Sequence, residues 1–230
     1  MRLPIFHQRL VEASREVCGR YGLLLAGGYA MSAHGFTDRP SRDLDFATSG
    51  ETPLPLVAEE VAQELRGHGF LVAVQESTPL SGRLEVADSY TEESCRIVLL
   101  REALQEPPSV LEPCPVVGQD DAVGLKVRAL HDRGLARDFI DVAAVSELYS
   151  FRELERLGAV HDDDFRTEDL LERLETVDAL ADEGFLGYGV DEDGLVRIRR
   201  FAYAWAEDIK LRRAEDGDTL RDPPDLPELD

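Results

Sequence analysis

The chain has 230 residues, 43% of them hydrophobic and 31% charged, a balance that belongs to folded globular proteins and excludes a disordered polymer. No apolar run is long enough to span a bilayer, and the amphipathic start "MRLPIFHQRLVEASREV" has no signal-cleavage pattern, so no membrane partner and a cytoplasmic location are expected. A formal net charge of −22 excludes a broad basic surface for gripping phosphates and leaves only local patches for that work.

Phe6, Leu10, Ala13 and Val17 recur at helical spacing and predict a helix over 5–20. Leu23 to Ala26 reads as a short buried strand that runs into Gly27 and Gly28, and "YAMSAHG" as a short helix closed by Gly35. "RDLDFAT" alternates charged and apolar side chains and reads as the next strand, followed by a helix over 54–69 with a glycine stop. "FLVAVQE", "GRLEVADS" and "SCRIVLLRE" read as strands, the last two as a hairpin across "YTEE". The proline-rich 105–117 interrupts all periodicity and is the expected boundary. Beyond it, 119–149, 166–182 and 194–213 read as helices. The expectation is an α+β chain with a mixed sheet in 1–117, a helical region in 118–213 and a disordered acidic tail in 214–230. Cys18, Cys95 and Cys114 are odd in number and widely separated, which argues against both a disulfide framework and a thiolate zinc site.

Side chains two apart on a strand leave the same face, so Asp43 and Asp45 are expected side by side. Two like charges held together call for a divalent cation or a shared proton, and oxygen-only ligands favour Mg2+ with substrate phosphates. Gly27 and Gly28 offer bare backbone N–H groups that suit a phosphate, and Arg39 and Arg42 add positive charge nearby. Taken alone, a turn and a solvated strand face account for these residues equally well. Lys126, on a helix with Val123, Val127 and Leu130, is a suitable point charge for a triphosphate. Arg137 and Asp141 stand four apart, a spacing that serves a helical ion pair as readily as catalysis.

The strings "GG…HG…RPSRDLDF" and "LKVRALHDRGLARDFIDV" together resemble the AbiEii/AbiGii-type nucleotidyltransferases, including the MenT toxins, of the DNA polymerase β-like superfamily. The resemblance implies a mixed-sheet nucleotidyltransferase fold in which Gly27 and Gly28 hold nucleotide phosphates, Asp43 and Asp45 bind Mg2+ and Lys126 reaches the triphosphate. Asp141 matches the acid that ends the second motif. The implied catalytic set is Asp43, Asp45, Lys126 and Asp141; Gly27, Gly28, Arg39, Ser41 and Lys126 form the nucleotide-binding set. An NTP as substrate, a tRNA 3′ end or other RNA as acceptor and a cognate antitoxin as partner follow from the same resemblance. Superfamily enzymes also carry a third carboxylate on a neighbouring strand, where this chain has Ile97 and Val98. Glu85 is the nearest substitute and Asp88 stands behind it, yet both read more simply as hairpin-surface residues. Without a third acid, a degenerate fold acting as a nucleotide- or partner-binding module is the rival, and a small molecule or protein hydroxyl is an acceptor that the acidic surface would hinder less.

His34 reads as a helix cap before a ribose or phosphate ligand, "HDDD" (161–164) as an acidic helix lead-in, and "DEDG" (191–194) as a turn lacking the later calcium ligands. Phe201, Tyr203 and Trp205 read as core residues of the last helix before a base-stacking platform, and the basic clusters in 126–138, 196–200 and 210–213 as solvated faces. Ser41, two residues before Asp43, would carry negative charge against the metal carboxylates if it were phosphorylated or nucleotidylated.

Overall fold

The computed structural model describes residues 3–215; the expected tail from residue 216 onward lies outside the described residues, while positions 214 and 215 end the last helix. The helix expected over 5–20 is two, α1 (Ile5–Ala13) and α2 (Arg15–Tyr21). They part at Ser14, whose hydroxyl donates to the Leu10 carbonyl at 2.8 Å and so competes with the backbone ladder. β1 (Leu24–Leu25) is only two residues long and leads into α3 (Gly27–Ala33), which begins on the glycine pair rather than after it. β2 (Asp43–Thr48), α4 (Leu54–Gly67), β3 (Leu71–Ser77), β4 (Ser81–Ala87) and β5 (Ser94–Arg101) follow as expected.

The five strands form one mixed sheet in the order β1-β2-β5-β4-β3, with β2 and β5 parallel and the other pairs antiparallel. The two faces differ sharply. Leu44, Phe46, Leu84, Val86, Ile97 and Leu99 are buried on one side, where α4 packs with Leu54, Val57, Val61 and Leu65. Each of those four helical side chains contributes roughly 1.5–3 kcal/mol relative to exposure. Because the strand period is two, the intervening residues Asp43, Asp45, Arg96, Val98, Arg83 and Glu85 all leave the opposite face.

The chain beyond the sheet is helical. α5 (Gln119–Arg133) ends at Gly134, whose φ of +56° is the left-handed cap that separates it from α6 (Ala136–Ala143). α7 (Phe151–Val160) falls where no element was expected. α8 (Thr167–Glu175), a 3-10 turn at Thr176–Ala179, α9 (Asp182–Leu186) and α10 (Glu192–Glu215) complete the described residues. α5 packs against α3 on one side and α7 on the other, and buried residues from Leu3 to Ile209 form one hydrophobic cluster. That packing carries Lys126 to the glycine turn. Trp205 is fully buried, stacks on Phe151 at 5.5 Å and donates its indole N–H to Glu155 at 2.9 Å, which is a core role. Among the described residues no helix is long and apolar enough to cross a membrane.

Candidate active site

Gly27 carries a φ of +61°, and a Cβ there would come within 1.9 Å of the Asp45 Oδ2. Both facts demand glycine: the backbone conformation disfavours L side chains, and the carboxylate occupies the space one would need. A Cβ on Gly28 would meet the Ser41 Oγ at 2.9 Å and the Arg39 guanidinium at 3.0 Å. The turn and the Asp-Leu-Asp strand are therefore in direct contact, with bare backbone beneath Asp45.

Asp43 and Asp45 face a cavity of about 450 Å3, within the usual size for a ligand site. Gly27, Gly28, Arg39, Ser41 and Lys126 line it too. Burial raises the Asp45 carboxyl above its ordinary value, Asp43 adds to the rise, and Lys126 is the strongest opposing charge. Among the described residues the one ion pair on this couple joins Asp43 to Arg137 at 4.0 Å. An all-oxygen donor pair in which no ion pair among the described residues closes on Asp45 fits a hard divalent cation.

Asp141 is buried and plays a different part. Its two oxygens accept from the Arg39 Nε and Nη2, each at 2.5 Å, and Lys126 Nζ lies 2.9 Å from Oδ2. Burial alone would raise this carboxyl, but Lys126 and Arg39 outweigh it and hold it below the ordinary carboxylate range. Asp141 thus fixes the two cations that border the glycine turn. The helical Arg137–Asp141 pairing that the spacing allowed does not form: Arg137 turns to Asp43 and Asp141 to Arg39, 102 residues away.

The third-carboxylate position is resolved by register. Val98 is the β5 neighbour of Asp45, and Arg96 that of Asp43. Glu85 lies one strand further, paired with Arg96 at 3.1 Å. Asp88, beyond the end of β4, is buried rather than a hairpin-surface residue; it accepts the Tyr90 N–H at 2.7 Å and pairs with Arg9. Neither acid lines the cavity that Asp43 and Asp45 face.

Of the remaining candidates, Ser41 lies at the cavity and the others fall elsewhere. His34 caps α3 and its Nε2 lies 2.9 Å from the Val117 carbonyl. Asp191 accepts the Gly194 N–H at 2.7 Å and so closes the turn into α10. Asp162 stands near His131 and Asp132 in a group spaced for a metal ion, remote in sequence from the Asp43–Asp45 pair. The His131 Nε2 there accepts the Arg166 N–H at 3.3 Å and its Nδ1 faces Asp132 at 3.0 Å, so hydrogen bonds occupy both ring nitrogens. Ser41 Oγ donates to the Asp43 carbonyl at 3.2 Å and reaches the cavity wall.

Sequence reasoning missed several residues of the wall. Arg83, Arg96, Arg128 and Arg133 line it, as does Tyr188, whose ring lies beneath the guanidinium groups of Arg39 and Arg42 at 5.1 and 5.3 Å. The strand alternation that exposes Asp43 and Asp45 could have found Arg96 and Arg83; Tyr188 has no local signal. With Arg39, Arg42, Lys126 and Arg137, eight cations surround this cavity in an otherwise acidic chain.

The fold is similar to MenT4, a nucleotidyltransferase toxin from Mycobacterium tuberculosis, with 21% identity and a TM-score of 0.59 over 92% of this chain and 85% of that one. It is similar also to JHP933 from Helicobacter pylori, with 15% identity and a TM-score of 0.56 over 93% and 96% of the two chains. No curated protein gives a match. Residues 17–186, which contain the glycine turn, both aspartates, Lys126 and Asp141, match the family described as "Nucleotidyl transferase AbiEii toxin, Type IV TA system". Since that match spans most of the 230 residues, the chain belongs to the AbiEii nucleotidyltransferase toxin family.

Proposed function

We propose that this nucleotidyltransferase joins the α-phosphate of an NTP to an acceptor hydroxyl: the new O–P bond forms as the bond to the β-phosphate breaks, pyrophosphate leaves, and the hydroxyl's proton passes to solvent. The observation that carries this reading is the contact between Gly27 and Asp45 inside a cavity that Lys126 also lines. Gly27 and Gly28 let the phosphates approach the main chain, Lys126 and Arg39 neutralise them, and Asp141 holds both cations in place. Asp43 and Asp45 would hold Mg2+, which when bound lowers the charge cost of bringing a nucleophile to a polyphosphate. The acceptor is RNA, most simply a tRNA 3′ end, the setting is a cytoplasmic toxin with an antitoxin partner, and the cationic wall supports a polyanionic ligand where the net charge does not.

The test is incubation with each labelled NTP, Mg2+ and total RNA, repeated with Asp43→Ala. Label in RNA that vanishes with the variant supports the reading; label in protein or small molecules redirects the acceptor. Val98 beside Asp45 favours a second reading, a nucleotide-binding module without transfer, which nucleotide binding without label transfer would support.

A further inference from the structure

The sheet face that bears Asp43 and Asp45 continues over β5 and β4 as two rows. In one, Arg96 stands beside Asp43 and Glu85 beside Arg96; in the other, Val98 stands beside Asp45 and Arg83 beside Val98. Neighbouring strands lie about 4.8 Å apart, so the two guanidinium groups are rooted one and two strand spacings from the acidic pair.

Arg42 lies over the Tyr188 ring and Arg137 reaches Asp43 at 4.0 Å; the other six cations around the cavity are of two kinds. Arg39 and Lys126 are closed around buried Asp141, while Arg128 and Arg133 each make two hydrogen bonds to a buried carboxylate, Glu102 and Asp138. Arg96 and Arg83 differ: their side chains are 48% and 55% exposed, and each meets one glutamate, Glu85 at 3.1 Å and Glu76 at 3.0 Å. Exposed pairs of this sort exchange readily for a better anion.

Position supplies the second argument. Gly27 and Gly28 follow β1, which flanks β2 on one side, while β5 and β4 lie on the other. In an in-line displacement the attacking hydroxyl and the leaving pyrophosphate sit on opposite sides of the transferred phosphorus. A triphosphate over the glycine turn therefore directs the acceptor toward β5 and β4.

We propose that Arg96 and Arg83 form the acceptor subsite, holding phosphates of a nucleic-acid strand behind its attacking hydroxyl, and that Glu85 and Glu76 are counterions the strand displaces. The assignment rests on the nucleotidyl-transfer reading above. It gives Glu85 the opposite sign of effect from a general base: its removal strengthens acceptor binding and leaves the chemical step intact.

The experiment pairs label transfer from NTP to total RNA with fluorescence anisotropy of a labelled single-stranded RNA 12-mer in the absence of NTP. Arg96→Ala and Arg83→Ala should each raise the RNA concentration for half-maximal transfer about tenfold, leave KM for NTP and kcat nearly unchanged, and reduce the log–log salt slope of 12-mer binding by about 0.7. Glu85→Gln should lower the half-maximal RNA concentration. The proposal is overturned if Glu85→Gln abolishes kcat while the 12-mer still binds, if both arginine variants match wild type in KM for RNA and in salt slope, or if label enters only protein or small molecules. Should wild type transfer no label at all, the nucleotidyl reading fails and the acceptor role with it, and anisotropy alone judges the contact with nucleic acid: weaker 12-mer binding by the arginine variants upholds that contact, and equal binding overturns it.

Discussion

Asp45 shows at the residue scale how function strains a fold. Its carboxyl is raised by burial and by Asp43, so ionising it costs the folded state stability, which is present below the ordinary value of 3.8 and lost as pH climbs through the raised one. Asp45→Asn should therefore raise the thermal midpoint at neutral pH while abolishing transfer, and Mg2+ should raise the midpoint of wild type but not of the variant. Differential scanning fluorimetry with and without the ion reads both; a lower midpoint in the variant would contradict this account. Gly27 faces the same carboxylate. Gly27→Ala puts a methyl 1.9 Å from Asp45 Oδ2 at a positive φ, and a displacement on the ångström scale predicts a loss of kcat on the order of 100-fold, measurable by single-turnover transfer. These contacts were partly legible in the sequence: the Asp-Leu-Asp alternation and the glycine pair announce themselves locally. The Arg39–Asp141 bond, across 102 residues, has no local signature, and only resemblance to a family singled out Asp141.

Elements with a clean period were read correctly. α4 repeats its apolar side chains at three and four, and β2 and β4 alternate burial, so periodicity sufficed there. α7 was legible but unread: Phe151, Leu154 and Leu157 recur every three residues, and Ser150 and Glu153 spell a capping box in which the serine accepts the Glu153 N–H at 3.3 Å. α7 matters to the site through its seam with α5. A Cβ on Gly124 would meet the Leu157 carbonyl at 2.5 Å, and one on Gly158 would meet Val127 Cγ1 at 2.7 Å, so both glycines set the distance between these helices. Gly124 lies two residues from Lys126. Gly124→Ala is expected to cost about 1–3 kcal/mol in urea denaturation, as overpacking does, and to raise KM for NTP by shifting the lysine. A variant with wild-type stability and KM would show that the seam has slack.

For the whole molecule, net charge proved a poor guide to the cavity: −22 sums the entire chain, whereas eight cations line the cavity around Asp43 and Asp45. Acid sensitivity is a second property of the whole fold. Burial lowers the imidazole pKa of both His7, which lies 2.5 Å from the Tyr29 hydroxyl, and His161, which faces Asp121 at 3.3 Å. The unfolded chain then binds more protons than the native one below the ordinary value of 6.5, so stability is complete above that pH and declines as pH falls beneath it. Each unit of depression corresponds to about 1.4 kcal/mol. Urea midpoints should drop between pH 7.5 and 5.5, and His161→Gln should flatten that slope; a midpoint independent of pH would refute the assignment.

Tyr188 sits between α9 and α10, yet its ring lies beneath Arg39 and Arg42, side chains of the loop that leads into the Asp-Leu-Asp strand. A chain truncated after α8 would keep both aspartates, the glycine turn and Lys126 while losing the brace that steadies this loop from outside. The late helices are in this sense a wall of the reaction chamber, and swapping them between relatives would transplant part of the catalyst along with the scaffold.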